Sequence, residues 1–249
     1  MVANLFETSY VKRIRSHFRI KDVENLNYIR VGRDNDGGYT MVDDFAGVKN
    51  VYSCGINDDV SWDLDFLNRR NENVDIFMYD HTIDQLPQEH ESFHFFKTGI
   101  SGVYDSTHPE LDTIPRLISK NGHQDDYNMI LKMDIEGSEY DMLETIDVDT
   151  LNHFTQIIME IHWLLNINNE NKISFCLDKL NATHQLVYIH GNNCVDHINR
   201  GGLVLPDVVE CTYLRRDKYN FIESKRFFPT ALDQPCTVNR PEINLGFWK

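Results

Sequence analysis

The stretch that decides the fold is MILKMDIEGSEYDMLETI, residues 129–146. A mostly apolar run ends directly in Asp134, and Glu136 follows shortly before the helical pattern that begins at Ser138. A strand that passes through a short turn into a helix is typical of α/β proteins with a parallel sheet. Carboxylates are costly beside an apolar strand unless they bind a cation, a hydroxyl or a proton, so Asp134 and Glu136 are candidate catalytic residues. Glu139 falls in the first helical turn, where a negative charge suits the helix dipole.

Short apolar runs and amphipathic stretches alternate on both sides of this segment. This alternation is typical of a parallel sheet whose two faces are covered by helices, so we predict a doubly wound α/β fold. The predicted strands lie near Val51–Cys54, Val74–Tyr79, Phe93–Lys97, Met129–Met133, Gln156–Ile161, Gln185–Ile189 and Val208–Tyr213. The predicted helices lie near Trp62–Asn71, Leu111–Asn121, Ser138–Ile146 and Glu170–Ala182.

Two flanking segments differ from this core in pattern. Residues 1–50 combine a helix that is basic over residues 12–21 with two alternating strands around Asp34–Gly38, whose sequence suits the positive φ angles of a hairpin turn. The basic residues form either a solvated helix face or a contact for an anionic acceptor. Residues 216–249 carry three prolines and little periodicity. We therefore predict an N-terminal helix and hairpin extension over 1–50, a main domain over 51–215 and a C-terminal tail of ordered coil that wraps it.

Composition and charge exclude several classes of function. Lys and Arg number 24 and Asp and Glu 39, a net charge of −15 that repels the phosphates of nucleic acids. No apolar run approaches the roughly 18 to 20 residues of a membrane span, and the N-terminus lacks the apolar core of a signal peptide. Five cysteines without a C-x-x-C pair indicate neither a disulfide framework nor a zinc site. We expect a cytoplasmic protein that binds neither nucleic acid nor membrane, and its oligomeric state stays open.

The first two predicted strands end in residues suited to a nucleoside cofactor. Gly55 ends the first strand, and Asp80 ends the second 25 residues later, at the edge where open α/β sheets bind ligands. A dinucleotide would require further glycines for its pyrophosphate, whereas one glycine suffices for S-adenosylmethionine, which has no phosphate. The Asp80 carboxylate can accept both ribose hydroxyls, although an ordinary turn and a helix cap are the competing explanations. Asn57 and His81, from the same two loops, complete the candidate cofactor-binding residues.

Two further strand ends carry histidines. Glu160 and His162 fall on the same side of the fifth predicted strand, because side chains alternate along a strand. His162 would emerge near Asp134 and Glu136, since adjacent strand ends share one edge of the sheet. An imidazole suits proton transfer near neutral pH, so we predict His162 as the general base and His190, at the end of the sixth strand, as the second choice. A structural histidine is the competing interpretation.

The same edge offers contacts for an acceptor and ligands for a metal ion. Asn192 and Asn193 are uncharged hydrogen-bonding groups that suit sugar hydroxyls, although asparagine is also common in loops. A divalent cation remains an alternative, with hard oxygen ligands and one nitrogen. The side chains that would hold it are Asp134, Glu136, Glu160 and His162.

The run from Lys132 to Leu143, K-x-D-I-E-G-x-E-x-x-x-L, resembles the hallmark of FkbM-like methyltransferases. The segment Arg33–Tyr39 is similar to the opening of a related methyltransferase-like branch, and the resemblance covers roughly residues 30–162. It implies a seven-stranded Rossmann-like sheet whose last strand is antiparallel, with S-adenosylmethionine across the carboxyl ends of the first strands.

For single residues, the resemblance implies contacts of Gly55 with the methionine part of the cofactor and of Asp80 with its ribose. It also implies that Asp134 and Glu136 lie at the reaction centre. We count Asp134 among the candidate cofactor-binding residues as well. The loop Ile56–Asp59 departs from the more glycine-rich first loop of many methyltransferases, which leaves the contacts of this loop open.

The predicted function is S-adenosylmethionine-dependent methylation of an oxygen or nitrogen on a small molecule or sugar, as in polysaccharide biosynthesis. A nicotinamide-dependent Rossmann enzyme is the first alternative, and it explains the sheet but not the loop with a single glycine. A non-catalytic nucleoside-binding protein is the second alternative.

Overall fold

A computed structural model describes residues 8–69 and 73–248. The strands of its central sheet are β1 (Asn50–Cys54), β2 (Asp75–Tyr79), β3 (Phe93–Phe96), β4 (Met129–Met133), β5 (Phe154–Ile161), β6 (His184–Gly191) and β7 (Val209–Arg215). Their order is β3-β2-β1-β4-β5-β7-β6. β7 pairs antiparallel with β5 and β6, and the other pairs are parallel. The predicted α/β fold with a seven-stranded, mostly parallel Rossmann-like sheet is confirmed.

The described α-helices are α1 (Thr8–His17), α2 (Ser61–Asn68), α3 (Ile114–Asn121), α4 (Glu139–Thr145), α5 (Val148–Leu151) and α6 (Glu170–Thr183). α2 corresponds to the helix predicted over Trp62–Asn71, whose last two residues lie outside the described ones. The helix predicted from Leu111 begins later, because Leu111–Asp112 pairs with Gly99–Ile100 as a short strand and Pro115 favours the first turn of a helix. None of the described helices is both long and apolar enough to cross a membrane.

The central sheet is buried on both faces, because neighbouring residues of a strand point to opposite sides. In β1, Val51 packs into one hydrophobic cluster, and Tyr52 packs into the other. Helices α1, α3, α4 and α6 cover the face of Tyr52. On the face of Val51, α2 is joined by a hairpin formed by Tyr28–Val31 and Tyr39–Val42. One face is therefore covered by helices, and the other is covered by a helix and the hairpin.

The hairpin is fastened to the sheet by side chains from the sheet itself. Gln156 of β5 accepts a hydrogen bond from the Val42 N–H at 2.8 Å and donates one to the Val42 carbonyl at 3.2 Å. The Thr212 hydroxyl of β7 donates to the carbonyl of Thr40. These bonds hold the strand that carries Tyr39 against β5 and β7. The hairpin thus shares the core of the sheet, and the domain boundary at residue 50 stays a prediction.

The described part of the tail, predicted as coil, contains short strands. The short antiparallel pairs that complete the structure join Lys21–Val23 to Phe221–Glu223, His197–Arg200 to Leu203–Pro206 and Phe227–Phe228 to Gly246–Phe247. Strands of two to four residues are too short to carry a periodic pattern, so the sequence does not reveal them.

Candidate active site

A cavity of about 520 Å³ lies at the carboxyl edge of the sheet, where β1, β2, β4 and β5 end. The sequence-predicted residues that line it are Gly55, Asn57, Asp80, His81, Asp134, Glu136, Glu160 and His162. They meet there because the carboxyl ends of parallel strands share one edge of a sheet.

Gly55 is confined by the backbone of the neighbouring strand. Its φ is +79°, and a Cβ at this position would lie 1.6 Å from the carbonyl oxygen of Asp134. The Asp134 N–H donates to the carbonyl of Cys54 at 2.9 Å, which keeps the two strand ends this close. Lys132, buried within β4, donates to the Gly55 carbonyl at 3.1 Å. The glycine is therefore required by the sheet itself, in addition to any need for space around a ligand.

Asp80 holds the loop that follows β1. Its Oδ2 accepts hydrogen bonds from the backbone N–H groups of Ile56 and Asn57, both at 2.8 Å. Its Oδ1 accepts from the N–H of Thr82 at 2.7 Å and from the Thr82 hydroxyl at 2.6 Å. Burial alone would raise the pKa of this carboxyl, but these hydrogen bonds hold the pKa of Asp80 below its ordinary value. Asp80 is thus an ionised residue that shapes the cavity wall.

A row of acidic side chains crosses the sheet at this edge. Glu160 of β5 pairs in register with Glu210 of β7, which pairs with His190 of β6. Asp134 follows the last residue of β4 that pairs with β5, and so comes beside Glu160. Burial, and then the carboxylate of Asp134, raise the pKa of Glu160 to about 8. The strand register therefore concentrates acidic groups beside the cavity, and their mutual repulsion and burial favour the protonated form of Glu160 near neutral pH.

Tyr39, from the hairpin, reaches this row. Its hydroxyl donates to Asp134 Oδ2 at 3.0 Å. Burial and the nearby Asp134 carboxylate raise the pKa of Tyr39 well above its ordinary value, so the hydroxyl remains a donor. Oδ1 of Asp134 is buried and has no hydrogen-bond partner within residues 8–69 and 73–248. The sequence did not single out Tyr39, because its contact with Asp134 spans 95 residues of the chain.

His162 follows β5 and is enclosed by carboxylates. Its Nδ1 lies 3.0 Å from Glu139 Oε1, and its Nε2 lies 3.4 Å from Glu136 Oε2 and 3.4 Å from Glu160 Oε2. Burial lowers the pKa of the imidazole, but the hydrogen bonds with Glu139 and Glu160 outweigh it and raise the pKa of His162 to about 11. A protonated imidazole has no nitrogen free to accept a proton. This environment does not suit the predicted role of His162 as a general base.

Glu139, predicted only to suit a helix terminus, also contacts His162. Its side chain is 0% exposed, and its Oε1 accepts a hydrogen bond from the Ile135 N–H at 3.1 Å besides contacting His162. Its place in the first turn of α4 suits the helix dipole. Because that role already accounts for an acidic residue at this position, the sequence gives no sign of the contact with His162. Glu136 lies one turn away with φ +53°, a backbone conformation that is uncommon outside glycine and is found at functional sites.

The cavity lining carries a surplus of negative charge. Its acidic side chains are Asp36, Asp58, Asp59, Asp80, Asp134, Glu136 and Glu160. Besides histidines, its basic side chains are Arg33 and Lys132. Such a lining favours a cationic or uncharged ligand over an anionic one.

A protein-family model matches the part of the chain that holds most of these strands and the carboxylates of the cavity. A model described as the methyltransferase FkbM domain matches residues 22–188, which are 167 of the 249 residues of the chain. The chain belongs to the FkbM methyltransferase family. No curated protein matches it. The matched range includes the hairpin, β1 to β5 and the cavity-lining carboxylates, whereas His190 and the tail lie beyond it.

In this FkbM methyltransferase, His190 holds the C-terminal tail. Its ring nitrogens contact Glu210 Oε2 at 2.9 Å and Glu242 Oε1 at 3.1 Å. Burial opposes the charged form, but these carboxylates raise the pKa of His190 well above its ordinary value. His190 does not line the cavity, and both of its ring nitrogens are engaged with Glu210 and Glu242. His190 therefore contacts the tail, and its role as the second choice of base stays a prediction.

The two asparagines predicted to contact an acceptor have different positions in the FkbM methyltransferase. Asn192 lines the cavity and donates to Glu160 Oε1 at 2.7 Å. Asn193 is directed to the tail, where its amide donates to the carbonyls of Thr237 and Arg240 and accepts from the Thr237 N–H. Of the two, Asn192 alone is positioned to touch a ligand.

Proposed function

We propose that this FkbM methyltransferase transfers the methyl group of S-adenosylmethionine to a hydroxyl or amine of a small molecule or sugar, such as a polysaccharide precursor. The observation that carries the proposal is one continuous cavity that joins the loop around Gly55 and Asp80 to the cluster of Asp134, Glu136, Glu160 and His162. The first part resembles a nucleoside-binding edge of an α/β sheet, and the second offers groups that handle protons and hydroxyls.

The charge of the cavity supports S-adenosylmethionine over a nicotinamide dinucleotide. The sulfonium gives S-adenosylmethionine a net positive charge, which suits the acidic lining. A dinucleotide would bring two phosphate charges to a loop that contains one glycine and to walls that carry carboxylates such as Asp58 and Asp59. The same charge argument favours an acceptor without a phosphate or carboxylate near the reacting atom.

In the proposed reaction, the acceptor oxygen or nitrogen forms a bond to the methyl carbon as the carbon–sulfur bond breaks. The sulfur keeps the electron pair of that bond, so the coproduct is S-adenosylhomocysteine, a neutral thioether. The proton of the acceptor passes to a carboxylate of the cluster, since both ring nitrogens of His162 already lie against other acidic side chains. Catalysis then depends mostly on positioning the two reactants in line.

Calorimetric titration of the full chain with S-adenosylmethionine, S-adenosylhomocysteine and NAD tests the cofactor. We expect both sulfur compounds to bind and NAD to bind more weakly or not at all, because of the acidic lining. Tighter binding of NAD would support the nicotinamide alternative. Absence of binding by both sulfur compounds would overturn the proposal.

Replacement of Asp80 by alanine is expected to weaken the binding of S-adenosylmethionine by about 10-fold to 150-fold, the scale of a hydrogen bond to a charged group. The variant loses the carboxylate that holds the N–H groups of Ile56 and Asn57, and with it any contact to the ribose. Asp84→Ala is the matched control, since Asp84 is 90% exposed and does not line the cavity. Calorimetry that gives Asp80→Ala the affinity of the wild type would refute the assignment of this loop to the cofactor.

A further inference from the structure

The cluster of Asp134, Glu136 and His162 has the spacing of a metal site. One carboxylate oxygen from each acid and one ring nitrogen of His162 all lie within 4.8 Å of one another. Glu160 adds an oxygen 3.4 Å from Nε2 of the same histidine. Three or four ligand atoms around one point, all hard oxygens except a single imidazole nitrogen, match the donors that divalent cations such as Mn²⁺ and Mg²⁺ accept.

One oxygen in this cluster lacks a partner. Asp134 Oδ2 accepts from the Tyr39 hydroxyl, but the buried Oδ1 has no hydrogen-bond partner in the described chain. It lies 3.8 Å from His162 Nε2, too far for a hydrogen bond. A buried carboxylate oxygen without a partner is costly, and coordination to a cation between Asp134 and His162 would remove that cost.

The histidine of the cluster is oriented as metal-binding histidines are. Metal-binding histidines usually donate the second ring N–H to a carboxylate, which fixes the ring and the tautomer. Glu139 is fully buried and lies 3.0 Å from His162 Nδ1, and its own position is fixed by the Ile135 N–H. With the proton on Nδ1, the lone pair of Nε2 points toward Glu136, Glu160 and Asp134.

The charge balance of the cluster also calls for a cation. Four acidic side chains, those of Asp134, Glu136, Glu139 and Glu160, contact one imidazole. The nearest described ammonium that lines the cavity belongs to Lys132, and it is bound to the carbonyl of Gly55. A divalent cation in place of a proton on Nε2 would neutralise more of this charge.

We propose that Asp134, Glu136 and His162, with Glu160 beside them, bind a divalent cation of the Mn²⁺ and Mg²⁺ class at the acceptor end of the cavity. Glu139 is the positioning residue that orients His162. The protein supplies fewer ligands than the roughly six that such cations prefer, so the remaining positions face the cavity. The role of this cation in the reaction rests on the proposed methyltransferase function: it would bind the acceptor hydroxyl and make its proton easier to remove.

A second cluster provides an internal comparison. His190, Glu210 and Cys236 also bring their ligand atoms within 4.8 Å of one another. There, however, both oxygens of the Glu210 carboxylate have partners: Oε2 contacts the His190 ring, and Oε1 accepts from the Cys236 thiol. The second cluster is fully partnered and lies off the cavity, so it carries no metal proposal.

Electron paramagnetic resonance with Mn²⁺ alone tests the site in the full chain, because the signal of free Mn²⁺ falls on binding. We expect the wild type to take up Mn²⁺ and Glu136→Gln to bind it at least about tenfold more weakly. Glu136 is 86% exposed, so this change should leave the fold intact. Glu223→Gln is the matched control, since Glu223 is 84% exposed and does not line the cavity, and it should bind Mn²⁺ as the wild type does.

Glu139→Gln tests the positioning role, with an expected loss of about 10-fold to 100-fold in Mn²⁺ affinity, the range for residues that orient metal ligands. Unchanged affinity in this variant would contradict that role. The metal site would be overturned if the wild type left the Mn²⁺ signal unchanged. It would also be overturned if Glu136→Gln took up Mn²⁺ as well as the wild type does. Calorimetry with S-adenosylmethionine in the absence of metal separates the two proposals: binding of the cofactor without Mn²⁺ uptake would leave the methyltransferase proposal in place and remove the cation.

Discussion

Gly55→Ala is expected to lower the free energy of unfolding by more than about 4 kcal/mol, a size reached by few single substitutions. The new Cβ would lie 1.6 Å from the carbonyl oxygen of Asp134, so β1 and β4 must separate at the edge that forms the cavity. Separation would also break the bond from the Asp134 N–H to the Cys54 carbonyl. Urea unfolding followed by circular dichroism measures the loss, and a variant that does not fold at all would fit the same expectation.

Gly122→Ala is the control for Gly55→Ala. Gly122 ends α3 with φ +76°, nearly the φ of Gly55, but a Cβ there would meet nothing within 4 Å. This variant should lose only the cost of a left-handed alanine, about 1 to 2 kcal/mol. Equal losses in the two variants would show that backbone conformation alone, and not the contact with Asp134, requires glycine at position 55.

We expect His184 to lower the free energy of unfolding by about 3 kcal/mol when the pH falls from neutral to about 4. Its Nε2 contacts the Phe154 carbonyl at 2.9 Å and its Nδ1 contacts the Thr183 hydroxyl at 2.8 Å, and burial lowers the pKa of His184 to about 4. The unfolded chain takes up this proton near the ordinary value of about 6.5, whereas the folded protein resists it until about pH 4. The stability that His184 contributes is therefore complete above pH 6.5 and is lost as the pH falls toward 4.

The measurement is the unfolding free energy of wild type minus that of His184→Gln, taken from pH 7.5 to pH 4. This difference should fall by about 3 kcal/mol over that interval, because glutamine does not titrate. His108→Gln replaces an exposed histidine, and its difference from wild type should stay within about 0.5 kcal/mol. A constant difference for His184→Gln would contradict the view that this histidine is held neutral in the core.

The strands of the sheet could be located from the sequence because of how they are buried. A parallel strand covered on both faces reads as an unbroken apolar run, as in Met129–Met133 and Gln156–Ile161. Those runs coincide with β4 and with most of β5. Short pairs such as Phe227–Phe228 with Gly246–Phe247 could not be found in this way, since each arises from a distant partner and not from a local pattern.

The meeting of Gly55, Asp80, Asp134 and His162 could also be predicted, because all four follow parallel strands and those strands end at one edge. The position of His190 away from the cavity could not be predicted in the same way. It lies near the end of a strand of the same type, but its ring nitrogens contact Glu210 of β7 and Glu242 of the tail, and it does not line the cavity. Such contacts depend on which elements pack together, and the apolar runs of β5, β6 and β7 do not encode them.

The sequence by itself determined the fold class, the family resemblance and the set of carboxylates at the strand ends, because each of these depends on local pattern and short spacing. Only the tertiary structure decided the pKa values of those groups and their capacity to bind a metal ion. Glu139 was visible as a helix terminus, but its burial against His162 follows from the packing of α4 on β5. The raised pKa of His162 follows in turn from carboxyl groups contributed by separate segments of the chain. Proton and metal affinities depend on distance and burial, and for residues far apart in sequence both are properties of the folded chain.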